Sequence, residues 1–207
     1  MTGASNVTGY MPEIHRIARL CHAHGARILV DAAQLLGHAP IDVRPEDDPE
    51  HNVAGAVGLA AALSFLMCVG MKAVRQHERA LTEQTLVQLG DIDGVALYGP
   101  RDAACRTGVV SFNVDGVCHE LVARLLDREA GVAVRNGCFC AQPYVHHLLR
   151  VDDGGAVRRA MEAGRIEGLP GAVRASIGIE NAAEDVEALV RAVRRIRARV
   201  RVRPAVA

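Results

Sequence analysis

The fold is decided by the segment Ile28-Leu29-Val30-Asp31-Ala32-Ala33-Gln34, an apolar run that ends in an acid and, three residues later, an amide. A short apolar run of this kind predicts a buried strand over residues 27–31. Upstream, Pro12 suits the first turn of a helix and Gly25 suits its end. Residues 12–31 therefore predict a helix followed by a strand, which is the repeating unit of α/β proteins.

The rest of the chain also alternates helices and strands. A polar, proline-bearing loop at 42–52 precedes two predicted helices, at 53–69 and 71–90. Beyond them, short strands and helices alternate, which predicts an α+β domain. The predicted strands are 95–98, 108–113, 132–134 and 173–177, and the predicted helices are 119–129, 155–166 and a last one opened by Asn181 and Glu184 as a capping box. We therefore divide the chain into domains at 1–91 and 92–207.

The composition is that of a globular protein without a dominant charge. Half of the 207 residues are hydrophobic, and the formal net charge is zero. We therefore expect no nucleic-acid partner, and we interpret the arginine run at 191–203 as the solvated face of the last helix, with an acidic-lipid or nucleic-acid surface as the alternative. The N-terminus has no signal-peptide pattern and the six cysteines are expected to be reduced, which predicts a cytoplasmic protein.

One segment raises the alternative of a membrane-spanning helix. Residues 53–71 carry no charge and are about long enough to cross a bilayer. They are rich in Ala and Gly rather than Leu and Ile, so the free energy of membrane insertion would be weak. We expect a buried helix here and keep a membrane-tethered fragment as the alternative.

Two residues stand where chemistry is expected from their type and place. Asp31 ends a predicted buried strand, where α/β folds bind ligands, and the alternative is an acid that caps a loop. Cys140 lies two residues after Cys138, and a cysteine thiolate is a strong nucleophile. The alternatives for Cys140 are an inert loop thiol or a metal ligand with the histidines at 146–147. Their spacing matches no common zinc pattern, so we predict no metal site.

Four segments occur in the order typical of one family. Ser5-Asn6-Val7-Thr8-Gly9 precedes the Asp31 segment, while Arg135-Asn136-Gly137-Cys138-Phe139-Cys140-Ala141 and Val173-Arg174-Ala175-Ser176 follow it. Together they resemble the class V aminotransferases of the cysteine desulfurase and selenocysteine lyase kind. The resemblance implies an α/β fold, with a fold-type I large domain that binds pyridoxal phosphate and a smaller α+β C-terminal domain. It also implies a dimer.

The resemblance assigns a role to each candidate site residue. Asp31 would pair with the ring nitrogen of pyridoxal phosphate, and Gln34 would donate to its phenolic oxygen. Arg174, with help from Asn6, would hold the carboxylate of a small amino-acid substrate through parallel hydrogen bonds, and a surface ion pair is the alternative. The thiolate of Cys140 would take sulfur or selenium from the substrate and carry it as a persulfide.

The chain departs from the family pattern in two places. The phosphate-gripping loop and the stacking histidine of the family would lie before Met1. The segment with the Schiff-base lysine should follow the loop near 42–51, yet the chain continues there into a sequence that resembles a later helix start, which predicts an internal deletion with its seam near His51/Asn52. The sole lysine, Lys72, opens an amphipathic helix and is expected to be a surface residue.

These departures lead to a functional prediction with alternatives. We expect an incomplete fold-type I large domain and a sulfur-transferring family member whose catalysis is impaired. The alternatives are a non-enzymatic binding or scaffold module, and the membrane-tethered fragment. As partners we expect a second copy of the chain or an intact relative, and no membrane.

Overall fold

The structure is a computed structural model that describes residues 1–40, 53–151 and 169–202, together with positions 155, 157, 159, 162 and 163. The predicted loop at 42–52 and most of the predicted helix at 155–166 lie outside these residues. In chain order the elements are α1 (Ile14–Ala23), α2 (Val53–Val69), α3 (Met71–Gly90), β1 (Val95–Tyr98), a 3-10 turn (Ala103–Cys105), β2 (Val109–Val114), α4 (His119–Ala130), β3 (Arg135–Gly137), α5 (Gln142–Leu148), β4 (Ala172–Ser176) and α6 (Ala183–Val202).

The C-terminal half is built on one antiparallel sheet. Its strands lie in the order β1-β2-β4-β3, and every neighbouring pair is antiparallel. Strand β2 is almost wholly buried because it pairs on both edges and because helices α3, α4 and α6 pack in the same core. The leucine, isoleucine and phenylalanine residues buried in this core are Leu81, Leu86, Leu89, Ile92, Phe112, Leu126, Ile177, Leu189 and Ile196. The helices meet the core through one apolar face each, as their sequence periodicity predicts.

The ends of the helices follow recognisable signals. Helix α4 is capped at its C-terminus by Gly131, which has a φ of 63° and donates to the Asp127 carbonyl. The Val132 amide donates to the Leu126 carbonyl. Helix α6 begins differently from the prediction. The carboxylate of Asp185, and not that of Glu184, accepts from the Ala182 amide at 3.0 Å. Only this half of a capping box is present, one residue after the predicted position, because Ala182 has no side-chain oxygen to complete it.

The predicted strand at 132–134 is wrong by three positions. The observed strand is Arg135–Gly137, which pairs with Ala172–Arg174. The reason is the helix before it, because the Val132 amide already closes the last turn of α4. The ladder starts only where the chain has left that turn and lies beside β4.

The predicted strand at 27–31 is also wrong. In the structure, only Asp31 forms a bridge, a parallel one to Thr2, and Leu29 is 87% exposed. A run of apolar residues becomes a buried strand only when neighbouring strands cover it. Among the described residues, the backbone of this run bonds to Met1 and Gly3 and forms its one bridge with Thr2. Helix α1, just before, likewise has no buried residue.

The N-terminal residues form a small apolar cluster of their own. Ala4, Leu35 and Ala39 are buried together, and Met11, Ile14 and Ala32 pack partly against them. A polar contact joins this part to α3, because Nδ1 of His38 lies 3.0 Å from both carboxylate oxygens of the fully buried Glu78.

Helix α2 leaves large apolar side chains exposed. Phe65 is 60% and Met67 76% exposed, so the expectation of a buried helix at 53–69 is wrong for these residues. No single described helix is long and apolar enough to cross a membrane. By length and composition alone, the pair Leu59–Val69 and Met71–Gly90, bent by 76° at its break, would pass that test.

Candidate functional site

The loop that follows β3 has an unusual backbone. Phe139 and Cys140 have φ values of 52° and 60°, and Gly137 before them has a φ of 104°. Non-glycine residues with positive φ are uncommon, and such conformations cluster at functional sites. The result is that Phe139 is buried while the Cys140 that follows it is exposed. The loop therefore holds its aromatic ring inward and presents its thiol to solvent.

The start of the chain fixes this loop. Asn6 donates from Nδ2 to the Phe139 carbonyl at 2.8 Å. Asn6 is itself held on the C-terminal half, because the Ser111 hydroxyl donates to the neighbouring Val7 carbonyl and the Thr107 amide donates to Gly9. A segment predicted to belong to one domain thus completes a loop of the other.

Arg174 is the third member of the cluster. Its guanidinium donates from Nη1 to the Asn6 carbonyl at 2.8 Å and lies 5.1 Å from the centroid of the Phe139 ring. Burial lowers the pKa of Arg174, and the nearby charge of Arg135 lowers it further. Its Nε is buried and has no hydrogen-bond partner among the described residues. This side chain therefore keeps donor capacity for an anionic group.

The two thiols of the loop differ. Cys138 is half-buried, its Sγ donates to the Pro170 carbonyl at 3.2 Å, and burial raises the pKa of its thiol. Cys140 is exposed. No group of three His, Cys, Asp or Glu side chains in the described part of the chain could hold a metal ion. The structure thus distinguishes Cys140 from Cys138, a distinction that the Cys-x-Cys spacing alone does not give.

Asp31 and Gln34 lie apart from this hydrogen-bonded cluster. The exposed Asp31 accepts from the Ala33 amide at 3.0 Å, which is the loop-capping role that was the alternative prediction. Its backbone bonds to Gly3 and Met1. Neither Asp31 nor the half-buried Gln34 hydrogen-bonds to Asn6, Cys140 or Arg174. The structure therefore joins Asn6, Arg174 and the Cys140 loop and leaves the other two candidates outside.

Comparison with known proteins decides the family. The family model for aminotransferase class V matches residues 1–47 and 50–189. This chain belongs to the class V aminotransferase family. It is 28% identical over 220 positions to a probable cysteine desulfurase from Methanothermobacter thermautotrophicus, with 78% of this chain and 54% of that one covered. It is 37% identical to a probable cysteine desulfurase from Staphylococcus epidermidis over 142 positions, which cover 69% of this chain and 29% of that one.

Solved structures of the family share the fold. The cysteine desulfurase from Thermococcus onnurineus superposes with a TM-score of 0.75 at 24% identity, over 95% of this chain and 59% of that one. A cysteine desulfurase from Escherichia coli gives a TM-score of 0.68 over 57% of its length. These matches confirm the predicted α/β fold-type I class in partial form. The chain spans about half the length of the curated family members it matches.

Class V family members depend on pyridoxal phosphate, so the residues present can be tested for fit. The sole lysine, Lys72, is exposed in the first turn of α3, as predicted, and has no hydrogen bond or ion pair with the described part of the chain. The Asp31 carboxylate is exposed and engaged by Ala33. A cofactor held as a Schiff base needs a lysine aimed at its carbonyl carbon beside a buried acid. These residues do not fit that group.

Two contributors to the site were not singled out from the sequence of this class V chain. The Phe139 ring beneath Arg174 carried no signal beyond its place in the cysteine segment. Arg135 was noted only as part of that segment, yet it lies directly opposite Arg174 across β3 and β4. Only the strand register, which the sequence did not predict correctly here, brings these two arginines together.

Proposed function

We propose that this chain is a class V family member that retains the sulfur-handling side of the site and has lost, or nearly lost, desulfuration that depends on pyridoxal phosphate. One observation carries the proposal. The cluster of Asn6, Arg174 and the Cys140 loop is assembled by hydrogen bonds, while the sole lysine is exposed and unpartnered among the described residues.

The alignments support the loss of an internal segment. The match to the family model is interrupted between residues 47 and 50, close to the predicted seam at 51/52. The alignment with the Methanothermobacter relative has 220 positions but contains 78% of the 207 residues, about 161, so about 59 positions of the relative have no counterpart in this chain. The family's lysine segment was expected at this place.

The retained residues have definite roles in this proposal. Cys140 is the nucleophile that accepts sulfur, because it is exposed and its thiolate is strongly nucleophilic. Arg174 binds the carboxylate of a small amino-acid substrate, and Asn6 positions both the arginine and the loop. Asp31 and Gln34, the ring-binding residues by family resemblance, lie outside this cluster, and Asp31 instead accepts from the Ala33 amide.

A second function is favoured by the exposed side chains of α2. Leu59, Phe65 and Met67 are all more than half exposed, and exposed apolar surface is typical of sites of protein association. We propose a cytoplasmic protein that associates with a second copy of itself or with an intact relative through this surface. In that case it serves as a binding module and not as an enzyme.

The proposal predicts that no Schiff base forms on Lys72. Purified protein is incubated with pyridoxal phosphate, reduced with borohydride, digested and analysed by mass spectrometry, with alanine release from cysteine assayed in parallel. We expect no specific adduct at Lys72 and no alanine above the level given by a Lys72→Arg variant. The Escherichia coli enzyme serves as the positive control. A stoichiometric adduct on Lys72 together with alanine production would overturn the proposal.

A further inference from the structure

Two arginines face each other beside the Cys140 loop. Arg135 of β3 is the register partner of Arg174 of β4, and the strands are antiparallel. Directly opposed residues of such a pair project from the same face, with roughly 4.5–5.5 Å between their Cβ atoms. Like charges in this arrangement repel. The pKa of Arg174 is lowered mainly by burial and further by the charge of Arg135.

Neither arginine is neutralised by an acid of the described chain. Arginines elsewhere do form ion pairs, such as Arg191 with Glu187 and Arg199 with Glu129. Arg174 instead donates from Nη1 to the Asn6 carbonyl, and its buried Nε has no hydrogen-bond partner among the described residues. Arg135 is exposed. Two uncompensated guanidinium groups on one sheet face are a site for an anion of more than one charge.

The nucleophile lies next to this pair. The Arg174 guanidinium contacts the ring of Phe139, the residue immediately before the exposed Cys140. Arg135 begins β3 five residues before Cys140, so this arginine of the pair and the solvent-facing thiol belong to one strand and the loop that follows it. A single carboxylate needs only one guanidinium, whereas a dianion that carries transferable sulfur uses both arginines and the thiol.

We propose that this face binds a dianionic sulfane-sulfur donor of the thiosulfate type and that Cys140 takes the outer sulfur atom without any cofactor. This inference rests on the proposed function in so far as Cys140 is the sulfur acceptor. It goes beyond that function because the sulfur comes from an inorganic donor and not from cysteine.

The transfer balances without an added oxidant. The Cys140 thiolate attacks the outer sulfur, a new S–S bond forms between Sγ and that atom, and the S–S bond of thiosulfate breaks. Sulfite leaves with the electron pair of the broken bond. Sγ is oxidised from thiol to persulfide level, while the donor is reduced to sulfite plus the bound sulfur. Arg135 and Arg174 offset the repulsion between the thiolate and the dianion and hold the departing sulfite.

The experiment uses the full chain, reduced, desalted and free of pyridoxal phosphate, incubated with thiosulfate. Sulfite release is measured, and the cysteine peptides are analysed by mass spectrometry. We expect one added sulfur atom on Cys140 and one sulfite per sulfur. The Cys140→Ser variant should lose both signals, and the matched Cys138→Ser variant should keep them.

The arginine pair is tested with a change of donor. The Arg135 side chain is exposed, so Arg135→Gln removes no core contact. In this variant the thiosulfate concentration for half-loading should rise about tenfold or more, as expected for the loss of a charge-assisted bond. Loading from an alkyl hydropersulfide, which carries one charge at most, should change far less.

Three results would overturn the inference: no sulfite release, equal sulfur on Cys138 and Cys140, or unchanged thiosulfate dependence in Arg135→Gln. None of these results depends on Lys72. The proposed function fails on a different result, an adduct on Lys72 with alanine production in the pyridoxal phosphate experiment.

Discussion

At the scale of single residues, the site depends on how Phe139 and Cys140 are held. Two successive non-glycine residues with positive φ cost free energy, on the order of 1 kcal/mol each. Asn6 and Arg174 offset that cost by bonding the loop and covering the ring of Phe139. The strained turn is thus maintained by contacts from two distant parts of the chain.

The residue-scale prediction is that Cys140 is the most reactive of the six thiols. It is exposed on the loop that continues from Arg135, whereas Cys138 donates to a carbonyl and its pKa is raised by burial. The protein is alkylated under native conditions with substoichiometric iodoacetamide. Peptide mass spectrometry then gives the order in which the six cysteines react. An Asn6→Ala variant loses the hydrogen bond to the Phe139 carbonyl, so the difference in alkylation rate between Cys140 and Cys138 should become smaller. Labelling of Cys21 or Cys68 before Cys140 would contradict the prediction.

At the scale of elements, the sequence predicted what local signals determine. The predicted helices at 53–69 and 71–90 are confirmed, because Gly70 separates two helical runs. The bounds predicted for the strand at 95–98 are also confirmed. The strands at 27–31 and 132–134 were wrong because strand pairing depends on neighbours that the segment itself does not specify. The site followed the same rule: Asn6 and Arg174 were named from motifs, but their meeting at Phe139 is a tertiary contact.

The element-scale prediction concerns the contact between His38 and α3. The hydrogen bond to Glu78 raises the pKa of His38 above its ordinary value of 6.5, helped by the charges of Glu78 and Glu180 and opposed by burial and Arg75. Because the folded-state pKa is the higher one, the stabilisation is complete below about pH 6.5 and is lost as the pH rises through the raised value.

This contact can be measured by denaturant unfolding of wild type and His38→Gln between pH 5.5 and 9, a range chosen around the ordinary pKa of about 6.5. We expect wild type to be more stable by about 1 kcal/mol at the acid end, with the difference shrinking towards alkaline pH. His24→Gln, a substitution at an exposed position, is the matched control variant. A difference that grows with pH would refute the assignment.

At the scale of the whole molecule, the two halves are unequally built. The sheet and its three helices enclose one continuous core, while the N-terminal residues have a small cluster of three buried side chains. Leu29, Phe65 and Met67 remain exposed in the same half. An apolar surface of this extent favours association. The division into 1–91 and 92–207 stays a prediction that proteolysis can test.

The whole-molecule prediction therefore has two parts. Limited proteolysis should cut first in the polar, proline-bearing sequence at 42–52 and leave a fragment that keeps α3 with the sheet, because Leu81, Leu86 and Leu89 of α3 lie in the sheet core. Size-exclusion chromatography with light scattering should show oligomers, and a Phe65→Asp, Met67→Asp double variant should shift them towards monomer. A clean monomer, cut first between 95 and 180 with residues 1–91 protected, would be the opposite result.

The bond between Asn6 and Phe139 has a consequence for the order of folding. It joins residues 133 positions apart, and the bond from Arg174 to Asn6 joins residues 168 apart. Closing such long loops costs more conformational entropy than forming shorter-range contacts, such as the pairing of β1 with β2. We therefore expect a refolding chain to form its sheet core first and the thiol loop last. Pulsed alkylation during refolding would show Cys138 becoming protected after the buried core has formed.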